Sequence, residues 1–275
     1  MKRQISRKEF LAGTTKTVLA ASAGALAMSV MPASGDQLGR AGAIDRVAAP
    51  WPWPYRALDQ EDVRKRAHKA YYDGGCCYGA FNGLVSALAD AVGEPFTSIP
   101  SQMTYFGGGG GAGWGTLCGA LNGAAIAISL VVDRANANTI ISELFGWYTQ
   151  TELPSDTSNN YATQHLFLVN RNDKALKQNA SGSPLCHVSV SEWSTASGYS
   201  AGSPERAERC ARLTGDVAAR AVEMLNAYFS GGFKAAYAPP KSVTGCMSCH
   251  ATTNVQAGVK MDCQQCHQTN WDHLF

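Results

Sequence analysis

The sequence predicts a mainly α protein, with a helical body domain followed by a small irregular C-terminal segment. Apolar residues recur at helical spacing in several stretches of the 275-residue chain. A run of small and apolar residues at 119–132 is typical of a buried helix. Four of the nine cysteines lie in the last thirty residues, which divides the chain into two chemically distinct parts.

Each predicted helix depends on its own periodic pattern. The predicted helices span residues 59–72, 78–93, 119–132, 140–148 and 204–229. Gly74 and Gly75 separate the first two, because adjacent glycines interrupt a helix. The many small residues of 119–132 predict close packing of its backbone against a neighbour. Residues 151–202 are rich in Ser, Asn and Thr and are predicted to be irregular.

Residues 1–35 have the composition of an export signal, with a basic start and then an apolar run from Val18 to Met31. The segment Ser6–Leu11 resembles the twin-arginine export box, with Lys8 in place of the second arginine. An ordinary secretion signal for an unfolded chain is the alternative. An uncleaved membrane anchor is disfavoured, because the apolar run is shorter than the ~20 residues that span a bilayer. Both main interpretations place the protein in the periplasm.

The charge balance argues against binding to nucleic acid. The formal net charge of +2 becomes −2 once residues 1–35 are removed, so no strongly basic surface is expected. No membrane span is expected after signal removal. The predicted layout is a signal at 1–35, an extended Pro- and Trp-rich lead-in arm at 36–58, the helical cysteine-containing redox domain at 59–238, and the C-terminal segment at 239–275.

A glycine-rich loop at residues 107–115 contains seven glycines. A phosphate-binding loop would end in Gly-Lys-Ser or Gly-Lys-Thr, since the lysine and hydroxyl contact phosphate and magnesium. This loop instead continues as Gly115–Cys118, with the sequence Gly-Thr-Leu-Cys. A nucleotide site is therefore excluded here.

Two short segments near the C-terminus carry the Cys-x-x-Cys-His motif that attaches c-type haem. They are Cys246–His250 and Cys263–His267. The two thiols of one motif can reach the two vinyl groups of one porphyrin, and the following histidine lies under the iron. Covalent attachment is predicted at Cys246, Cys249, Cys263 and Cys266, and proximal ligation at His250 and His267. We expect two haem c groups per chain.

Other interpretations of these two motifs are weaker. A zinc ribbon also pairs Cys-x-x-Cys motifs, but it usually separates them by more residues and needs no histidine after each. Disulfides are compatible with an oxidising compartment, yet haem attachment uses both thiols of a motif as thioethers. Only twelve residues separate His250 from Cys263. The two haems are therefore expected to be neighbours, buried against the body or another subunit.

Each haem iron also needs a sixth ligand, which histidine or methionine can supply. The distal candidates are His68, His165 and His273. His273 lies six residues after His267, too close to reach over the same ring, so it would serve the neighbouring haem or that of a partner chain. His68 lies on a predicted helix shortly before Cys76.

The five remaining cysteines are scattered, which excludes the local ferredoxin spacings. They are Cys76, Cys77, Cys118, Cys186 and Cys210. The cysteine pair and Cys118 each open a predicted helix, where the helix dipole lowers the pKa of a thiol. Inert buried cysteines and disulfides, which would leave one thiol unpaired, are the alternatives. We prefer an iron–sulfur site made by four of the five, expected to be [2Fe–2S].

Several segments resemble split-Soret cytochrome c. They are Gly75–Gly79, Gly113–Ala120, Ser183–His187 and Glu208–Cys210, followed by the two haem motifs. The body also resembles the redox-active proteins named for a C-G-C-A-x-x-G-C-C pattern, so the resemblance covers nearly all of residues 50–275.

That resemblance implies a homodimer whose four haems cluster at one end. Each haem iron would have two histidine ligands, and one axial ligand would cross the dimer. A [2Fe–2S]-type centre would occupy a four-cysteine pocket, with Cys118, Cys186 and Cys210 matching family cysteines. Cys76 and Cys77 compete for the fourth place, with Cys76 preferred, and His187 would belong to the shell of the cluster.

Three functional hypotheses follow. The first is an electron carrier without a substrate site, serving periplasmic redox partners in anaerobic respiration. The second is a haem enzyme that reduces a small nitrogen or oxygen compound at an iron with an open sixth position. The third is a redox sensor whose thiols switch between dithiol and disulfide.

Overall fold

The protein is described here by a computed structural model, which covers residues 49–250 and 260–265. The α-helices are α1 (Gln60–Val92), α2 (Gly119–Val131), α3 (Arg134–Gln150), α4 (Asp156–Thr163), α5 (Cys186–Ser197), α6 (Pro204–Phe229) and α7 (Lys241–His250). Short 3-10 helices span Phe96–Ser98, Ser101–Gly107 and Cys263–Gln265. The described residues contain isolated bridges at Leu117–Leu185 and Leu153–Asn179 but no strand. The predicted mainly α fold is confirmed.

Helix α1 is interrupted at the predicted glycine pair. It begins after Asp59, whose carboxylate accepts a hydrogen bond from the amide of Asp62 and so caps the first turn. Gly75 has φ 82° and ψ −177°, a conformation that L side chains rarely adopt, so the helix axis breaks there. The second half of α1 therefore starts at Cys76 and Cys77, two residues before the predicted start.

The core is made where α1 packs against α2 and α6. Phe81 and Leu84 of α1, Leu121 of α2 and Val217 of α6 are fully buried in it. A Cβ atom on Gly123 would lie 2.2 Å from the carbonyl oxygen of Cys77, so α1 and α2 can approach this closely only with glycine there. The predicted close packing of α2 is confirmed.

Two buried ionic networks join α1 to α6. Arg64 forms a salt bridge with Asp216, whose carboxylate also accepts hydrogen bonds from the hydroxyls of Ser155 and Ser158. A second network, centred on Glu208 of α6, is described with the histidines below. Because buried charges are costly unless they are paired, these networks favour one register between α1 and α6.

The prediction that residues 151–202 are irregular is wrong for two segments. Helix α4 begins where the hydroxyl of Ser155 accepts a hydrogen bond from the amide of Ser158. Helix α5 packs through Trp193, which is fully buried and donates from Nε1 to the carbonyl of Lys177 at 2.7 Å. Caps and one buried aromatic residue stabilise these helices, whereas an apolar repeat is absent from their sequences.

The lead-in arm is described from residue 49, and residues 36–48 lie outside the described part of the chain. Residues 53–59 belong to no helix or strand. Trp51 donates from Nε1 to the carbonyl of Ser129, and the amide of Trp53 donates to the carbonyl of Leu130, both at 2.8 Å. Tyr55 donates from its hydroxyl to the side chain of Asn226 at 2.7 Å. The arm therefore binds the end of α2 and the last turns of α6.

The C-terminal segment is less irregular than predicted, because its first haem motif lies at the end of helix α7. The chain reaches α7 by running along α3, where Glu143 accepts hydrogen bonds from the amides of Ala236 and Tyr237 at 2.9 and 2.7 Å. None of the described helices has the length and apolar character that crossing a membrane requires. The predicted signal at residues 1–35 lies outside the described residues.

Candidate redox site

Four cysteines from four separate elements come together at one end of α2. Cys76 begins the second half of α1, Cys118 is the N-cap of α2, Cys186 is the first residue of α5, and Cys210 lies on α6. Cys76 interacts electrostatically with the other three, and Cys186 interacts with Cys118 and Cys210. We call these four residues the cysteine pocket.

Cys77 lies apart from the cysteine pocket. Its side chain is fully buried against the 3-10 helix that ends at Gly107, where a Cβ would come within 2.5 Å of the Cys77 sulfur. Its thiol interacts electrostatically with Cys118 only. These contacts favour Cys76 over Cys77 as the fourth member of the pocket.

The thiols of Cys76 and Cys118 do not have the lowered pKa expected from their positions at helix starts, because burial raises both. Burial raises the pKa of the Cys118 thiol, although Tyr148 and the amides of Ala120 and Leu121 oppose that shift. Burial, with the neighbouring thiols Cys118 and Cys210, raises the pKa of Cys186 to about 12. The helix-dipole prediction is wrong here because desolvation outweighs the dipole. These thiols would therefore ionise near neutral pH only if a bound cation balanced the charge of the thiolates.

The glycine-rich loop closes over the pocket. The amide of Gly109 donates to Cys76, and a Cβ on Gly110 would lie 2.8 Å from the Cβ of Cys186. Gly109 and Gly110 have φ of 62° and 71°, so glycine supplies a backbone that other residues rarely adopt. The amide of Thr116 donates to the carbonyl of Gly110 at 3.0 Å. The loop thus packs on thiols, in agreement with the exclusion of a nucleotide site.

Polar side chains that the sequence did not predict as part of the site contact the thiols. Arg206 donates a hydrogen bond to Cys210, one helical turn further along α6. Tyr148 of α3 is fully buried and hydrogen-bonds Cys118 and, at 2.8 Å, the hydroxyl of Ser189. Only the i, i+4 spacing of Arg206 and Cys210 is visible in the sequence.

The ligands of the pocket are all thiols, and thiolates are the ligands that iron–sulfur clusters take. Among the residues that the structure describes, no three histidine, cysteine or carboxylate side chains are placed to bind one metal ion. A [2Fe–2S] cluster divides four cysteines between two irons, so its sulfur ligands lie further apart. The four thiols, with an arginine that donates to Cys210 and a tyrosine hydroxyl in contact with Cys118, fit such a cluster.

The two haem motifs meet in the C-terminal segment. The thiols of Cys246 and Cys263, the first cysteine of each motif, are in hydrogen-bonding contact. That the two haems are neighbours stays a prediction, to which this contact between the motifs is relevant. None of the seven cysteines whose side chains are described forms a disulfide. The side chain of Cys249, and the whole of Cys266, His267 and His273, lie outside the described residues.

His68 lies inside the body domain, in the second ionic network between α1 and α6. Its Nε2 is 3.1 Å from the carboxylate of Glu208, which also accepts hydrogen bonds from Arg212 and Tyr72. The ring of Phe167 stacks on the His68 ring with centroids 3.7 Å apart. His68 is fully buried by these contacts, and they do not favour it as a haem ligand.

The other histidines that the structure describes, His165, His187 and His250, lie nearer the surface. His165 is exposed in the turn after α4, with φ 57°, and remains a distal candidate. His187 is exposed beside the glycine-rich loop, and its amide donates to the carbonyl of Gly115 at 3.0 Å. His250, predicted as a proximal ligand, is the last residue of α7.

Comparison with known proteins was made at the level of family, sequence and structure. Residues 78–224 match the family of redox-active proteins named C_GCAxxG_C_C. The chain is 34% identical to the split-Soret cytochrome c of Desulfovibrio desulfuricans over 96% of its own length and 94% of that protein. A solved structure of that organism's split-Soret cytochrome c, described as having a novel iron centre, covers 84% of this chain and 96% of its own with a TM-score of 0.69.

The two kinds of similarity cover different parts of the chain. The C_GCAxxG_C_C match includes Cys118, Cys186 and Cys210 but ends before the haem motifs. The cytochrome matches extend over nearly the whole chain. Cytochromes c carry electrons on covalently bound haem, and the relative adds an iron centre to this role. The chain belongs to the split-Soret cytochrome c family and shares its electron-transfer role.

Proposed function

We propose that the protein is a periplasmic electron carrier with two haem c groups per chain and a [2Fe–2S] cluster, acting in anaerobic respiration. The observation that carries the proposal is the convergence of four cysteines from four elements in a protein that also has two adjoining haem motifs. The solved relative's novel iron centre supports a non-haem iron site in this family.

Each cofactor has its own residues in this proposal. The four cysteines of the cysteine pocket bind the cluster, which accepts and releases one electron at a time when bound. The haems are attached at Cys246, Cys249, Cys263 and Cys266, with His250 and His267 as proximal ligands. His165 and His273 remain the candidates for the distal positions, and a homodimer would bring one axial ligand from the partner subunit.

Burial of the thiols supports electron transfer over chemistry on a bound substrate at the pocket. Cys118 is only 6% exposed and the other three cysteines of the pocket are half-buried, with Tyr148 in contact with Cys118 and the amide of Gly109 in contact with Cys76. Electrons can cross such a cover, whereas a substrate or a thiol oxidant would have to enter it. This observation also weighs against the redox sensor, whose cysteines must react with one another or with an oxidant.

The assignment of an iron site to the cysteine pocket supports export by the twin-arginine route. A twin-arginine signal carries folded proteins, so a pocket assembled from four distant cysteines could receive its iron in the cytoplasm. The haems would then be attached after export. Replacing Arg7 and Lys8 by glutamine should keep the protein in the cytoplasm without covalent haem. Unchanged export of that variant would contradict the twin-arginine route.

Iron and haem content, measured together, test the proposal. The protein is purified without oxygen, total iron and haem are determined per chain, and the reduced sample is examined by electron paramagnetic resonance (EPR). We expect two haem irons, two further irons and a cluster signal. Haem iron alone would overturn the cluster. Carbon monoxide should leave the haem spectrum unchanged, whereas binding would indicate an open iron and favour the reductase.

A further inference from the structure

One face of α3 binds the C-terminal segment. Ser142, Gly146 and Thr149 are spaced four and three residues apart, so they share a face of the helix. Lys260 donates to the hydroxyl of Ser142 at 2.7 Å, and the ring of Tyr237 lies where a Cβ of Gly146 would be. The segment before the second haem motif is therefore held on this helix.

The same helix also supports the cysteine pocket. Tyr148, next to Thr149, hydrogen-bonds the thiol of Cys118. The carbonyl of Thr149 accepts a hydrogen bond from the amide of Gly182 at 2.9 Å. Gly182 belongs to the segment Ser181–Cys186, which we call the strap because it runs from α3 to the pocket.

The described part of the second haem motif, Cys263–Gln265, contacts the strap through Gln265. Gln265, inside that motif, donates from Nε2 to the carbonyl of Ser181 at 3.3 Å. Gly182 has φ 64°, and a Cβ there would lie 2.7 Å from the Gln265 Nε2. A Cβ at this position would displace the end of the glutamine side chain from the backbone of the strap.

The strap continues to two ligands of the pocket through a series of hydrogen bonds. Ser181 donates from its hydroxyl to the carbonyl of Ser183 at 2.8 Å, and both serines are buried. The carbonyl of Pro184 accepts from the amide of Cys118 at 2.8 Å. The strap then ends at Cys186, whose amide donates to the carbonyl of Thr116 at 2.7 Å.

We propose that Gln265 is a positioning residue, which docks the second haem motif on the strap and so joins the haem segment to the cysteine pocket. The inference rests on the proposed function for the identity of the two cofactors. The contact couples the order of the strap to the docking of Gln265 in both directions. A change that stabilises the ordered strap should favour docking, and docking should stabilise the ordered strap to the same extent.

The test compares two adjacent glutamines in the holoprotein. Gln265→Glu keeps the shape of the side chain but places an acceptor against the carbonyl of Ser181, since an ionised carboxylate cannot donate. Gln264→Glu adds the same charge at the neighbouring exposed position and is the matched control. Amide hydrogen exchange is followed by mass spectrometry in peptides covering the strap and residues 260–265.

We expect exchange about tenfold faster in both peptides for Gln265→Glu, and no change in the strap for Gln264→Glu. The EPR signal of the pocket iron should change in Gln265→Glu alone. Gly182→Ala should act like Gln265→Glu, and Gln265→Lys, which restores a donor, should return exchange towards wild type. Equal exchange in the strap for the two glutamate variants would overturn the proposal.

The exchange measurement does not need iron in the pocket. A protein with haem but without cluster iron would contradict the proposed function. Faster exchange of the strap in Gln265→Glu would still establish the docking contact in that case. The two proposals therefore fail separately.

Discussion

The haem motifs and the cysteine pocket are two ways of building a redox site from cysteine. Each haem motif is five consecutive residues, and that short stretch would supply both attachment cysteines and the proximal ligand of one haem. The pocket instead takes its thiols from positions between 76 and 210, carried by α1, α2, α5 and α6. A local motif survives damage elsewhere in the fold, whereas a pocket built from distant segments depends on how the helices pack.

The largest expected effect removes one local motif. Cys246→Ser combined with Cys249→Ser should lower the haem content from two to one per chain, because neither thioether can form. Non-haem iron and its EPR signal should persist, since the pocket shares no residue with the motif. Haem extraction and iron analysis measure both. Loss of the pocket iron together with the haem would show that the two sites assemble dependently.

The second prediction concerns the choice between adjacent cysteines. Cys76→Ala should abolish non-haem iron, because it removes a thiol that interacts with all three partners in the pocket. Cys77→Ala, the matched control, should retain the iron and lose only some packing against Gly107. Iron analysis after anaerobic purification measures both variants. Iron retained in Cys76→Ala and lost in Cys77→Ala would reverse the assignment.

A third prediction tests whether helix packing assembles the pocket. Gly123→Ala should cost about 1–3 kcal/mol in the free energy of unfolding, because the new methyl group overlaps the Cys77 carbonyl. By separating α1 from α2 it should also lower the non-haem iron without changing the haem content. Gly202→Ala is the control, since a Cβ there meets no atom within 4 Å. Denaturant unfolding and iron analysis compare them, and equal stability of the two variants would contradict this account.

The smallest expected effect is on the midpoint potential of the pocket iron. Arg206→Gln should make the midpoint potential of the pocket iron more negative, because it removes a positive charge and a hydrogen bond beside Cys210. Arg134→Gln, which makes the same charge change at an exposed position at the start of α3, should leave that potential unchanged. Redox titration followed by EPR measures both. Equal potentials in the two variants would remove Arg206 from the shell of the pocket.

The sequence predicted best what depends on local patterns. The break at Gly75 and the bounds of α6 follow from glycine conformation and a strong apolar repeat. Helices α4 and α5 were missed because a cap such as Ser155 and a single buried Trp193 stabilise them. The cap joins Ser155 to Ser158 and Trp193 contacts Lys177, and neither contact produces an apolar periodicity in the sequence.

The cysteine pocket shows the same limit. Its cysteines could be named only as a set of five, because spacing alone does not separate Cys76 from Cys77. In the structure the two side chains have different neighbours after the break at Gly75. The Cys77 sulfur lies against Gly107, whereas the Cys76 thiol interacts with the other thiols of the pocket. His68 was interpreted as a possible haem ligand, since its partner Glu208 is 140 residues further along the chain.

The lead-in arm has a consequence for the timing of biosynthesis. Its anchor at Ser129 is 78 residues after Trp51, and its anchor at Asn226 is 171 residues after Tyr55. On the ribosome, the arm therefore has no complete binding surface until nearly the whole body has been synthesised. The arm can therefore dock only after the helices that carry its binding surface have been synthesised and packed.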